Sequence, residues 1–416
     1  MTKIISIICA PPHSEFNPGM HSVDLGAFSF FLKNKFNAHV RFCLLHDPEP
    51  ELKDFLYEQL PFKYELFYEK LEDLYASDLI VYWGDFLQTF SYHRDDIGPR
   101  LVRYGLAKND DDSLEIVRRH FLLSEAPDEV LAKTIVFGSN FFINETVSFF
   151  ETSYGPAIER FITKVNRIWV RDILSAITVN HLKKDYTTNF LGMDCSFLWD
   201  YGNSKVTYLP LPSKRGERSR SWWKKKEERK FKCGVFLGRM PDNVPDLLPL
   251  IDNLADRLDA KLEYIPWLWQ QEVHYKVIRR GLKNIKIPSE KMNLFDIYAR
   301  VKEYNFIITD TYHLCLNAWR MGIPAICIGN GNSPLYYTLT DKKKELFYNM
   351  YGASAFYIFL GDIMTHDSRL EIVEKIADQL TQNKITDLIV STLDANKHVI
   401  EIELAKSVSS ILNNNK

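Results

Sequence analysis

The chain contains no cysteine pair. Its six cysteines, Cys9, Cys43, Cys195, Cys233, Cys315 and Cys327, are scattered through 416 residues without a CxxC spacing or an adjoining histidine cluster. That distribution argues against a zinc site or a disulfide framework and points to a reduced compartment. Charge of one sign is lacking too: 52 Lys and Arg stand against 54 Asp and Glu, a formal net charge of −2. The overall balance therefore asks for neither nucleic acid nor an acidic partner. No apolar run approaches the roughly 18 residues of a membrane span. The apolar start at Met1–Ala10 stops at Pro11-Pro12 with no cleavage pattern beyond it, so it reads as a first strand and not a signal peptide. No Asp-x-Asp triplet falls in an expected strand-end loop, because Asp110-Asp111-Asp112 lies in a polar stretch that reads as solvated, and no histidines stand at ligand spacing. The expectation is a soluble, cytoplasmic protein that needs no metal.

With 46% hydrophobic residues the chain has ample material for two or three domains. Short β-rich apolar runs ending in Gly, Asp or Ser alternate with longer amphipathic segments, the pattern of parallel sheets with helices on both faces. Ile4–Cys9, His39–Leu44, Leu79–Trp83, Thr134–Phe137 and Ile168–Val170 read as strands of a first α/β unit, with helices over Leu25–Asn34, Pro50–Leu60 and Pro156–Asn166. Lys232–Leu237, Lys261–Ile265, Phe306–Thr309, Ala325–Ile328 and Phe356–Leu360 read as strands of a second. Its helices fall over Pro245–Leu258, Leu294–Tyr304, Tyr312–Met321 and Leu370–Leu380. The expected fold class is α/β: two Rossmann-like domains, 1–205 and 233–416, with parallel sheets facing a central cleft and helices at the C-terminus.

Between them, residues 206–232 form a basic connection. Lys214 to Lys232 holds ten Lys or Arg against Glu217, Glu227 and Glu228, and it follows the Pro-containing stretch Leu209–Pro212. It reads either as a solvated linker or, through Trp222-Trp223, as a surface that meets anionic lipid, each basic residue contributing about 1 kcal/mol. A nucleic-acid groove is a third reading, but no recognised binding module accompanies it.

Ligands of open α/β sheets bind outside the carboxyl ends of the strands, so the chemistry is sought there. The segment Phe306–Gly329 reads as strand, cap, helix, Gly-Ile-Pro stop and strand. Thr309, Asp310 and Thr311 are all candidate caps, and the helix they open aims free N–H groups outward, where an anion is favoured. His313, Asn317 and Arg320 fall on one stripe of that helix. His313 reads as a catalytic or anion-binding group or as a structural histidine, Asp310 as a cap or a general base, Asn317 as packing and Arg320 as a salt-bridge partner. Arg239, after Gly238 at the end of another strand, suits bidentate contact with phosphate or carboxylate. Asn330, in Gly329-Asn330-Gly331, sits in a loop whose N–H groups could cradle phosphate. Asn17, Asp85, Asn140 and Arg171 lie near strand ends of the first unit, and Asp172 and Ser175 read first as helix-start residues.

These motifs resemble the polysaccharide pyruvyl transferase family, and the resemblance runs along most of the chain. Asp310-Thr311-Tyr312-His313 followed by Gly322-Ile323-Pro324 is similar to the family's D-R-x-H helix start and G-[IV]-P. Trp169–Ser175 resembles its V-R-D-x-x-S element, Ser77–Gly84 its strand and glycine loop, and Leu191–Asp194 its closing x-x-x-D. Asn17 and Gly19 loosely match its N-x-G turn.

The resemblance implies a GT-B-like fold with the acceptor on the N-terminal side and the donor on the C-terminal side. It implies transfer of a pyruvyl group from phosphoenolpyruvate to a pair of glycan hydroxyls in surface polysaccharide biosynthesis. His313 and Asp310 would then be catalytic, and Arg239, Arg320, Thr311, Asn317 and Asn330 would line the donor. Asn17, Asp85, Asn140 and Arg171 would face the acceptor, with Arg171 also steadying the domain junction.

Two positions depart from the pattern: Thr311 replaces the family arginine, and Gly84-Asp85 replaces Gly-Gly. Losing a guanidinium removes a strong phosphate contact, for which Arg320 is the candidate substitute. Two further readings stand beside pyruvyl transfer: a GT-B glycosyltransferase using a nucleotide sugar, and a non-catalytic glycan-binding relative. The donor is a substrate in either enzyme reading, and no cofactor is expected. The acceptor is a glycan or a lipid-linked oligosaccharide, which allows a peripheral position at the inner membrane face.

Overall fold

The computed structural model describes residues 2–12, 16–84, 87–141, 154–200, 231–268, 272–282, 284–288, 292–330, 339–382 and 384–414. Asp85, Gly331, Asn332 and the basic run as far as Lys230, with both of its tryptophans, lie outside the described residues. Lys232, the last cation of that run, belongs to a strand and pairs with Glu303 at 2.7 Å and Glu263 at 3.5 Å.

Eleven strands are described, β1 Lys3–Ile8, β2 Ala38–Leu44, β3 Tyr64–Leu66, β4 Leu79–Trp83, β5 Thr134–Ser139, β6 Arg167–Val170, β7 Phe231–Phe236, β8 Ala260–Tyr264, β9 Phe306–Thr309, β10 Ala325–Gly329 and β11 Tyr357–Phe359. They form a six-stranded sheet in the order β3-β2-β1-β4-β5-β6 and a five-stranded sheet in the order β11-β10-β9-β7-β8. Every pairing within them is parallel. Parallel strands covered on both faces read as continuous apolar runs, and β4, Leu-Ile-Val-Tyr-Trp, is buried at all five positions.

The expected two α/β units are present. One compact unit comprises residues 1–14, 20–200 and 396–416, the other 15–19 and 201–395. The C-terminal boundary differs from the sequence expectation, which kept 233–416 together. The last helix, Lys384–Asn414, buries Ile400, Leu404, Val408 and Leu412 on one face. That stripe at helical spacing packs its second half into the first unit, and Lys33 pairs with Glu401 there at 2.8 Å. Asp110–Asp112 is solvent-facing, as expected, and opens the helix Asp110–Phe121, with Asn109 accepting from the Asp112 N–H and three carboxylates at the positive end of the helix dipole. Among the described residues no helix is long and apolar enough to cross a membrane, and none of the His, Cys, Asp and Glu residues group as metal ligands.

The first unit buries unusual titratable groups. Burial pushes His21 and His93 down to about 3, and His46 to about 4. In the unfolded chain these imidazoles protonate near pH 6.5. Below that pH the unfolded state therefore binds more protons than the native state, and stability is lost as pH falls from 6.5 toward 4, by up to about 1.4 kcal/mol per pH unit per histidine. Asp24 opposes this, because burial raises its carboxyl to about 7 and keeps it protonated in the native state while the unfolded chain ionises near 4. With three histidines against one carboxyl the net slope favours the histidines. Urea unfolding of the first unit is expected to show a midpoint that falls steadily from pH 6.5 to pH 4.

Candidate functional site

In the second sheet the chain leaves β7 for β8 on one side, then returns to place β9 on the other. The carboxyl ends of β7 and β9 therefore flank a topological switch point, where the loops diverge and leave a crevice. Asp310, the first residue after β9, is fully buried there. Its carboxylate accepts from the backbone N–H groups of Gly238 at 2.8 Å, Arg239 at 2.7 Å and Met240 at 2.9 Å, the turn that follows β7. One side chain thus ties the two strand ends together. Arg239 is held by its own backbone, while its exposed side chain makes no hydrogen bond or ion pair among the described residues.

The helix after β9 runs Tyr312–Arg320, as the sequence predicts, with Thr311 at the N-cap. Thr311 makes no side-chain cap. Its hydroxyl donates to Asp310 at 3.2 Å, so it is turned inward and 5% exposed. The first-turn N–H groups accordingly keep their outward direction. His313 lies in that first turn, its ring edge-on to Tyr312 at 5.3 Å.

The rest of the polar stripe points elsewhere. Asn317 is fully buried, donating to the His313 carbonyl at 2.7 Å and accepting from the Arg320 guanidinium at 2.7 Å. Arg320 closes the helix, about 10 Å along the axis from His313. Because the helix leads back to the start of β10, Arg320 sits toward the amino ends of the strands. Its guanidinium reaches back one turn to Asn317.

Gly19 packs on His313. A Cβ at Gly19 would lie 2.4 Å from the histidine Cβ and 2.9 Å from its Cγ, so only glycine permits the approach. The turn is set locally, Asn17 accepting from the Gly19 N–H at 3.0 Å, and anchored by the buried Tyr298 hydroxyl, which donates to the Pro18 carbonyl at 2.8 Å. Gly19→Ala is expected to displace His313 and cost about 1–3 kcal/mol. Urea unfolding of the second unit and the histidine ring resonance check both effects.

Lys344 escapes sequence reasoning. It lies in the helix Leu339–Met350, fully buried, and its ammonium donates to the carbonyls of Asp310 and Ile328, each at 3.0 Å, while pairing with Asp341. Burial acts to lower this ammonium, but Cys327, Asp341 and Asp310 outweigh it and hold it above the usual lysine range. The ends of β9 and β10 are thereby fixed to each other. Asn330 stands next after β10, half-buried and with no side-chain hydrogen bond among the described residues. Arg239, Asp310, Thr311, His313 and Asn330 thus lie at the carboxyl ends of β7, β9 and β10, with the turn of Asn17 and Gly19 packed on His313.

A sequence model of the family described as polysaccharide pyruvyl transferase matches residues 29–332. The chain belongs to this family. None of the curated proteins matches the sequence. Among solved structures, the UDP-GlcNAc 2-epimerase of Neisseria meningitidis bound to UDP-GlcNAc superposes with a TM-score of 0.55 at 9% identity, over 97% of this chain and 99% of that one. A putative UDP-N-acetylglucosamine 2-epimerase of Listeria monocytogenes gives 0.51 at 9% identity, over 94% and 91%. At such identity the likeness is one of fold, the GT-B-like pairing of two parallel-sheet domains.

Two of the pyruvyl transferase family elements meet within the first unit. Arg171 pairs with Asp194 at 3.2 Å, the two side chains 1% and 3% exposed, so the V-R-D-x-x-S element and the closing Asp form one buried ion pair. Asp172 caps the helix Ile173–Lys183, accepting from the Ser175 N–H at 2.8 Å and its hydroxyl at 2.7 Å. Ser175 in turn accepts from the Phe141 N–H at 2.9 Å. Asn140 is 5% exposed beside it, its carbonyl accepting from Thr89 at 2.9 Å. Arg171, Asp172 and Ser175 thus hold the strand-end loops in shape.

Proposed function

We propose that this family member transfers a pyruvyl group from phosphoenolpyruvate to two hydroxyls of a glycan, with the donor at the β7/β9 switch point. Arg239 meets the donor's phosphate or carboxylate, assisted by the N–H groups that open the helix Tyr312–Arg320. His313 delivers a proton to the enol methylene, which becomes the methyl group, and positive charge develops on the adjacent carbon. One sugar hydroxyl adds to that carbon, and its proton restores the His313 imidazolium. The carbon–oxygen bond to phosphate breaks, and the second hydroxyl closes the cyclic ketal while its proton leaves with the phosphate. Asp310 is a positioning residue in this scheme, since its carboxylate is occupied by three backbone N–H groups and the Thr311 hydroxyl. The route requires no cofactor. The observation that carries the reading is the buried Asp310 clamp, which puts Arg239 and His313 on adjacent loops of one switch point in a chain matched by the pyruvyl transferase family over 29–332.

Thermal unfolding tests it. Phosphoenolpyruvate at about 100 times its dissociation constant is expected to stabilise the protein by roughly 2.7 kcal/mol, and the shift should vanish in Arg239→Ala and His313→Ala. A shift only with UDP or a UDP-sugar would instead favour a glycosyltransferase, the reading for which the UDP-GlcNAc bound by the Neisseria epimerase is the motive. Glycan affinity with no response to any donor would mark a non-catalytic relative.

A further inference from the structure

The first unit carries a concave feature at the amino end of its strands, opposite the strand-end loops. A groove of about 970 Å³ opens between the end of the helix Pro18–Asn34, the start of β1 and the last helix, Lys384–Asn414. Lys3, at the amino end of β1, lines it. The six residues of β1 span about 20 Å, which separates this groove from the carboxyl end of that strand. It is therefore no part of the loops where α/β sheets bind their reactants.

Its walls are cationic. Lys3, Lys33, Lys35 and Lys406 line it with one acidic residue, Glu401, and that carboxylate is taken by Lys33 at 2.8 Å. Lys3 donates to the Leu412 carbonyl and so pins the last helix to β1. Lys35 and Lys406 are different: both are exposed, and neither makes a hydrogen bond or ion pair among the described residues. Two uncommitted ammonium groups thus share a concave surface with an apolar floor, Phe36 and Ile402, and with the hydroxyls of Ser409 and Ser410.

We propose that this groove binds an acidic oligosaccharide. Its carboxylates or phosphates would meet Lys35 and Lys406, and its ring faces would lie on Phe36 and Ile402. A cavity of this volume holds a ligand of several sugar units. A flat bilayer cannot enter a concave groove, which sets a saccharide above a lipid surface as the occupant. The inference is independent of the donor, because no residue of the groove belongs to the β7/β9 site.

The test is calorimetric titration of the full chain with a tetragalacturonate and, as the neutral control, maltotetraose. The expected result is binding of the acidic sugar, none of the neutral one, and a loss of about tenfold in affinity in the Lys35→Gln, Lys406→Gln double variant. That variant should keep the wild-type unfolding temperature, since neither ammonium has a partner to lose, and the wild-type response to phosphoenolpyruvate, so failure here and failure of the donor reading are separable. Equal affinity in the double variant would overturn the proposal. So would equal binding of maltotetraose, or binding confined to anionic phosphatidylglycerol vesicles or to a single-stranded oligonucleotide.

Discussion

Asp310→Ala should unfold the edge of the second unit that carries Arg239. The substitution strips three backbone N–H groups of a shared anionic acceptor in a fully buried position. Hydrogen bonds to a charged group are worth about 1.5–3 kcal/mol each, and water cannot readily replace the acceptor, so a total loss of at least about 3 kcal/mol is expected. Asp310→Asn separates charge from shape. The amide keeps one acceptor oxygen but turns an NH2 toward N–H donors, so it should recover only part of the loss. Urea unfolding measures both, and hydrogen exchange at Gly238, Arg239 and Met240 locates them. A loss below about 1 kcal/mol in Asp310→Ala, with unchanged exchange at those three amides, would show that the turn holds itself without the clamp. If Asp310 were instead the general base, Asp310→Asn would abolish turnover while leaving exchange of the three amides unaltered.

That clamp marks where the sequence stops being readable. The helix Tyr312–Arg320 and the strands on either side were legible to within a residue, because Phe306–Ile308 is an apolar run closed by Thr309 and Gly322 and Pro324 stop the helix. Asp310 could be named as a cap or a base from its place after a strand. Its partners are backbone groups some 70 positions earlier, and no spacing rule encodes them.

Lys344 was invisible for a related reason. A Lys-Lys-Lys-Glu run in an amphipathic stretch reads as a solvated face, and only the arrival of the β9 and β10 carbonyls makes one of those ammonium groups a buried bolt. The helix Pro18–Asn34 was read only from Leu25 onward. Pro18-Gly19 looks like turn punctuation, and residues 21–27 are buried all round, so the one-sided periodicity that announces a surface helix is missing. Strand β3 is three residues long, too short to carry an alternation. The groove at Lys35 and Lys406 joins parts of the chain some 370 residues apart, and it exists only because the last helix returns to the first unit.

The same physics governs the first unit, where Asp194→Ala is expected to cost about 3–5 kcal/mol, the penalty for leaving a buried charge without its partner. Arg171 is 1% exposed and cannot turn to solvent without breaking the strand end that Gly192 closes, its N–H donating to the Val170 carbonyl at 2.6 Å. Asp194 does a second task, accepting from the N–H and hydroxyl of Ser196 at 3.0 and 2.7 Å to start the turn Cys195–Leu198. The two contributions separate in a double-mutant cycle. Asp194→Asn keeps an acceptor for Ser196 and loses the charge, so it isolates the ion pair. Arg171→Met removes the guanidinium and leaves Asp194 buried with its Ser196 bonds, so its cost should be smaller than that of Asp194→Ala. Combining Arg171→Met with Asp194→Asn removes both charges at once, and because desolvating a pair is costly in the wild type, the double variant should be more stable than the sum of the two single losses predicts by at least about 1 kcal/mol. Strict additivity would mean that water reaches the pair and that its burial contributes nothing to holding the two family elements together.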